Sequence, residues 1–340
     1  MLQQLGRMQQ RQRALIFVLL FVGGLMLIVA VTVFLIMWSL NTTPREMATA
    51  AVDTVTVAEF AQLPDDDAYP ARVAVGDDGL VYTGSYASGA LWTIGSAGTP
   101  DEFPDVRESV GSLTGLDVAP DGTLYLLDRL TFNPRSAGGI IWRVSPGGAL
   151  SQVGTIPDET GFISPGDLAL GADGGLYVTD RGRREVWRFA VDGSAAQLVW
   201  TVPGDDERAA DVVPTGIAYD FSSDTLIVTD SEAGTIYRVD PASGQSSIVY
   251  RYTGQSNPPG FDGVTVAPDG TIYAAALAQR GVVRVDDGDI VYLALGFRGG
   301  SDVAYHDGRL IVTNFDQRSL VLPGLDPQLP FALDVIELRP

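Results

Sequence analysis

The stretch Leu113-Thr-Gly-Leu-Asp-Val-Ala-Pro-Asp-Gly-Thr-Leu-Tyr-Leu-Leu-Asp128 decides the architecture, because the chain writes variants of it six times. Its first run alternates apolar and polar residues, Pro120-Asp121-Gly122 makes a tight turn, and Leu124 to Asp128 is again strand-like. After a loop, Ile140-Ile-Trp-Arg-Val144 supplies a third strand. The hairpin turn returns at Asp78-Gly79, Asp173-Gly174, Ser223-Asp224, Asp269-Gly270 and Asp307-Gly308, with successive spacings of 43, 52, 50, 46 and 38 residues around the whole set. Fourth strands such as Gln197 to Val202 and Ser247 to Tyr252 follow the third. Four strands repeated at this period predict an all-β fold, a six-bladed β-propeller in which adjacent sheets bury each other's apolar faces.

The sixth unit runs out of sequence after its third strand, Asp334 to Leu338, and needs a fourth. Thr54 to Phe60 precedes the first unit, belongs to no blade of its own and has the right length and pattern. The expected propeller therefore covers 52–340, with blade six closed by the N-terminal strand 54–60.

Before it lie a Gln-rich tail, 1–13, an apolar segment, 14–40, and a linker of small and polar residues, 41–51. The apolar segment has no charge over 27 residues, long enough to cross a hydrocarbon layer of roughly 30 Å as a tilted helix. Arg7, Arg11 and Arg13 precede it, while Arg45 and Glu46 nearly cancel after it. The positive-inside bias predicts a single-pass signal anchor with a cytoplasmic N-terminus and an extracytoplasmic propeller, periplasmic or extracellular. The competing reading is a signal peptide cleaved at Ala48-Thr49-Ala50, but that site lies about ten residues beyond a run longer than a signal core of roughly 7 to 15 residues. Asn41-Thr42-Thr43 is formally a glycosylation sequon.

Composition removes several chemistries. The chain has no cysteine, and all 22 basic residues are arginine, so thiolate ligands, thiol nucleophiles and lysine Schiff bases are excluded. His306 is the only histidine, which leaves little room for a Ser-His-Asp triad or a multi-histidine zinc site. Setting aside the three N-terminal arginines takes the net charge from −20 to −23, so nucleic acid and anionic lipid are poor partners and cations or basic surfaces are better ones.

In a propeller the residues before the innermost strand and after the second strand line one mouth of the central channel. Aligning the units puts Ala71, Thr114, Gly166, Thr215, Asp262 and Ser301 in a first column, then Arg72, Gly115, Asp167, Gly216, Gly263 and Asp302 in a second. Ser85, Asp128, Asp180, Asp230, Ala276 and Asn314 follow the second strand. Converging carboxylates suit a hard divalent cation such as Ca²⁺, with Asp262, Asp302, Asp180, Asp230, Asp128 and Asp167 as candidate ligands. The competing role for Asp128, Asp180 and Asp230 is to cap the turns they precede. Arg72, Thr215 and Asn314 are candidate ligand-binding residues at the same mouth. The turn aspartates Asp78, Asp121, Asp173, Asp269 and Asp307 read as hairpin signals at the opposite face.

The phrases LTGLDVAPDGTLYLLD, SPGDLALGADGGLYVTD, VPTGIAYDFSSDTLIVTD and FDGVTVAPDGTIYAA resemble six-bladed propellers of the gluconolactonase/regucalcin, strictosidine-synthase-like and NHL-repeat group, the TolB-like propellers, over about residues 54 to 340. The resemblance implies a divalent cation at the channel mouth, held by a Glu, an Asn and an Asp just before the inner strands, and an Asp acting as base. Phe261-Asp262-Gly263 matches the Asp-Gly position, so Asp262 is the implied ligand and catalytic base. At the Pro-Asn-Gly position Thr215 stands for the Asn, and Ala71 and Arg72 occupy the corner of the Glu.

Three functions fit these observations. The first is a membrane-anchored binding or scaffold module that holds a protein partner or small molecule with the channel mouth and the long loops Arg129 to Gly138 and Asn314 to Phe331. The second is a divalent-cation-dependent lactonase or ester hydrolase, in which the metal polarises the carbonyl and Asp262 activates water. The third is an accessory subunit of a membrane complex. The missing ligand positions favour the binding module over an enzyme.

Overall fold

The computed structural model describes residues 2–42, 47–133, 136–204 and 213–339, with side chains from residue 15 onward. The chain divides into two compact units, one formed by Met1–Arg45 with Arg318–Gln328 and the other by Glu46–Gln317 with Leu329–Pro340.

The larger unit is the six-bladed propeller. Its sheets are antiparallel, and each places its first strand innermost: Pro70–Val75, Leu113–Val118, Pro165–Leu170, Pro214–Asp220, Phe261–Val266 and Val303–His306. Five hairpin turns place a glycine in the left-handed region (Gly79, Gly122, Gly174, Gly270 and Gly308), and blade four uses Asp224 there at φ 57°. Turn aspartates fix the geometry from the side: Asp78, Asp121, Asp173 and Asp269 each accept the N–H two residues on.

In blade six, Ala332–Leu338 pairs on one side with Arg309–Thr313 and on the other with Val55–Gln62, in a register running from Val55 opposite Leu338 to Gln62 opposite Ala332. Residues 41–51 were expected to be linker, and this is corrected in part. Thr49–Ala50 forms a fifth strand on blade five opposite Ala294 and Leu295, and Ala48 is buried in the core between blades five and six. The unpaired edge of blade five explains the difference, because its free N–H and C=O groups recruit the nearest extended backbone. Arg45, Glu46 and Thr43 lie outside the described residues, as do Pro134 and Arg135 of the blade-two loop.

The core sits between blades and follows from alternation along each strand. Trp200 and Tyr237 pack at 5.4 Å between ring centres, and Tyr177 and Tyr219 at 5.8 Å, joining blades three and four. Trp92 is fully buried, whereas Trp142 and Trp187 pack at the edge of inter-blade clusters. The neighbouring arginines lie toward the turns: Arg188 pairs with Asp173 and Arg238 with Asp220.

The smaller unit contains the helix Leu2–Thr42, of which Leu15–Thr42 is long and apolar enough to cross a membrane, and a single helical turn, Arg318–Val321. The helix therefore runs through the stretch read as a polar tail.

Candidate functional site

The channel is built by an irregularity repeated in five inner strands. Each shifts register near its start, between Pro70 and Arg72, Leu113 and Gly115, Pro165 and Leu168, Pro214 and Ile217, and Phe261 and Val264. A bulge of this kind turns backbone groups out of the ladder. Here it releases the carbonyls of the first column from their own blade. Glycine in the second column lets the next blade come close: a Cβ at Gly216 would collide with the Asp262 carbonyl, and one at Gly263 with the Asp302 carboxylate.

Arg72 fills the space these carbonyls face. It is only 5% exposed, and its guanidinium reaches five of the six blades. Nε donates to the Thr114 carbonyl at 2.5 Å. Nη1 lies 3.4 Å from the Ala71 carbonyl and 3.3 Å from that of Ser301. Nη2 donates to the Gly166 carbonyl at 3.2 Å and to Asp262 Oδ1 at 2.9 Å. Asp167 Oδ1 stands 3.5 Å from Nε. Five of the six residues in the first column aligned from sequence thus converge in space, on a guanidinium. Burial disfavours the Arg72 charge, but Asp262, Asp167 and Asp302 outweigh it and hold the pKa well above its ordinary value.

The carboxylates of this ring also join blade to blade. Asp302 Oδ2 accepts the Val73 N–H at 2.9 Å, closing blade six onto blade one, and Asp167 Oδ2 faces the Ile217 N–H of blade four at 3.4 Å. Burial pushes Asp302 up to about 7 and Asp167 well above the usual carboxylate range, against the pull of Arg72. Asp117 escaped the sequence alignment because it lies two residues beyond the second column. Its Oδ2 accepts the Leu170 N–H of blade three at 2.7 Å, and burial pushes it up to about 6. The threonines near the end of the second strand were also missed. Thr179 and Thr229 donate to the first-column carbonyls of Thr215 and Asp262 on the next blade, and the recurring Thr-Asp ending was the available signal.

The other sequence-predicted residues are not gathered on this centre. Asp128 accepts N–H groups of Gly111, Ser112 and Leu130 and the Trp142 indole. Asp180 accepts from Ile163, Ser164, Gly182 and Arg183, and Asp230 from Val213, Glu232 and Ala233. Each of the three spends its lone pairs on N–H groups of its own blade. Burial pushes Asp230 up to about 6 against those hydrogen bonds. Thr215 donates to the Val213 carbonyl, and the Asn314 side-chain oxygen Oδ1 accepts the Arg298 N–H. Arg72, Thr215 and Asn314 are all buried, so none is presented to a ligand from solvent. His306 ends the inner strand of blade six, half-buried and 3.6 Å from the Asp307 carboxylate.

Among the described residues no group of three or more His, Asp or Glu is arranged to hold a metal ion. The physical reason is visible in the donor set. Asp262 and Asp167 are held by the Arg72 guanidinium, which occupies the space between them, and Asp302 and the remaining carboxylates are committed to N–H donors, so the residues present do not fit a divalent cation at this mouth. Beyond the guanidinium, the inner strands enclose a cavity of about 160 Å³, lined by Leu116, Asp117, Leu168, Val264, Tyr305 and, at its turn end, Phe221. At the rim on the strand-two side, Tyr86 packs on Phe315 with ring centres 5.2 Å apart, and the nearby loop exposes Leu130 and Phe132.

Comparison with known proteins places this geometry. Residues 136–292 match the SMP-30/Gluconolactonase/LRE-like region. That match covers blades three to five and the outer part of blade two. No curated protein sequence matches the chain significantly. Among solved structures, a gluconolactonase from Xanthomonas campestris is similar at 17% identity and a TM-score of 0.62, over 88% of this chain and 96% of that one. Virginiamycin B lyase from Staphylococcus aureus is similar at 12% identity and 0.59, over 84% and 99%. A chain of a nidogen/laminin complex is similar at 18% identity and 0.53, over 67% and 83%. At these identities the likeness is one of fold, and the fold is shared by enzymes and by a protein in a protein–protein complex.

Proposed function

We propose that the chain is a membrane-anchored propeller that acts as a binding module, with the helix Leu15–Thr42 as its span and the propeller on the extracytoplasmic side. The carrying observation is the Arg72 guanidinium in the channel, ion-paired to Asp262 at 2.9 Å where the gluconolactonase resemblance calls for a metal ligand. An Asp262 whose Oδ1 is taken by an arginine is a poor cation ligand. Binding then falls to the rim, where exposed Leu130 and Phe132 beside Tyr86 and Phe315 offer an apolar patch to a protein partner.

The second reading, a metal-dependent lactonase, draws on the family match and the gluconolactonase neighbour. Calorimetric titration of Ca²⁺, Mg²⁺, Mn²⁺ and Zn²⁺ into the full chain in detergent separates the two. The binding module predicts no saturable heat with wild type or with Asp262→Ala. Saturable uptake of one ion per chain that disappears in Asp262→Ala would overturn it and restore the hydrolase.

A further inference from the structure

The smaller unit pairs the apolar helix with a segment that sequence assigns to blade six. Between Arg318 and Asp326 the chain reads Ser319-Leu-Val-Leu-Pro-Gly-Leu325, with no charged residue. This segment is fastened to the C-terminal end of the helix by one side chain. Asn41 Nδ2 donates to the Gly324 carbonyl at 3.0 Å, and Asn41 Oδ1 accepts the Asp326 N–H at 3.1 Å. Gly324 also lies against Met37, which is the one half-buried residue of 31–40. Although fastened, the segment leaves Val321 67% and Leu322 48% exposed.

The level at which it is fastened identifies what covers it. At a rise of about 1.5 Å per residue the span Leu15–Thr42 is roughly 40 Å long, longer than the ~30 Å hydrocarbon layer, so its last turns fall in the headgroup region. Trp38, exposed on the helix surface, is the residue type that settles there, and the Thr42 hydroxyl caps the helix by donating to the Trp38 carbonyl at 2.8 Å. We infer that the segment 319–325 is a second membrane contact, seated by Asn41 at the headgroup–acyl boundary with Val321 and Leu322 turned into lipid. Burying these two side chains in the interface removes apolar area that water would otherwise face. The inference rests on the reading of Leu15–Thr42 as a membrane span. It also gives Asn41 work that N-linked modification would abolish, because both faces of its amide are taken.

The absence of cysteine makes the test direct. Single cysteines at Val321, at Val29 in the helix and at Ser194 on an exposed propeller turn are labelled with an environment-sensitive fluorophore. The full chain is then reconstituted into phosphatidylcholine–phosphatidylglycerol vesicles with and without brominated acyl chains. The Val321 label is expected to shift to the blue, to be quenched by lipid brominated near the headgroup and to resist iodide, while the Ser194 label is quenched by iodide alone. Adding Asn41→Ala should reduce the lipid quenching at Val321. Iodide quenching at Val321 equal to that at Ser194, with lipid quenching retained at Val29, would overturn the second contact and leave the span intact. Resistance to iodide without lipid quenching would assign the segment to a second copy of the chain and also overturn it. Loss of lipid quenching at Val29 would instead remove the span itself.

Discussion

Two sets of aspartates recur with the same period and do opposite work. Asp128, Asp180 and Asp230 end the second strands and are each satisfied by N–H groups of their own blade. Asp167, Asp262 and Asp302 begin the inner strands and, besides the next N–H of their own strand at Asp167 and Asp302, reach across blades, to a guanidinium and to the neighbouring backbone. The first set is local and shapes loops, whereas the second is shared and holds the ring together. A carboxylate in a repeat is therefore defined by which blade supplies its partner.

The largest test of this difference is Arg72→Met. It leaves Asp167 and Asp262 without their cation in a buried setting, and denaturant unfolding should show a loss of about 3–5 kcal/mol. Asp262→Asn in the same chain should recover part of it, since one uncompensated charge is then gone. A neutral Arg72→Met would mean that the inner aspartates do not depend on the guanidinium.

Asp128→Ala should cost less, about 2–3 kcal/mol, because it strands backbone donors of a single loop. Amide exchange is expected to quicken around Gly111, Ser112 and Leu130 and to stay unchanged in blade five. Spread of the effect around the ring would erase the distinction between local and shared sets.

Smaller again is a dependence on pH. Carboxyls whose folded values are raised stabilise the fold fully below the unfolded value of about 4 and lose that contribution as pH rises through the folded value. For Asp117 that value is about 6 and for Asp302 about 7, so both push stability downward between about pH 4 and 7. The expected slope is on the order of 1 kcal/mol per pH unit for each group. Asp302→Asn and Asp117→Asn should each flatten it, and a chain whose stability climbs over this range in both variants and wild type would contradict the assignment.

The smallest effect on folding is expected from Phe132→Ser at the exposed rim, within about 0.5 kcal/mol. Under the binding reading the same variant loses capture of its partner from solubilised membranes, and unchanged capture would move the patch elsewhere.

Strand number, hairpin turns and the inner columns were legible because each follows from a local period or a turn that demands a positive φ, as at Gly122 and Gly174. The site was half legible. Aligning units placed Arg72, Asp167, Asp262 and Asp302 at one level, but sequence gave no way to see that a flexible arginine of blade one reaches across to blade five. The carboxylates suggested a bound cation, and the cation is a side chain. Thr49–Ala50 was illegible for another reason, since two residues carry no periodicity and pair only because blade five leaves an edge free.

The outer strand of blade six has a consequence for synthesis. Val55–Gln62 is among the first propeller segments to leave the ribosome, yet its partner Ala332–Leu338 is the last strand of the ring. Until then the first strand waits with both edges open, tethered just beyond the apolar helix. Folding intermediates with five completed blades therefore carry a single sticky strand, which is where a chaperone would be needed and where two unfinished chains would exchange strands.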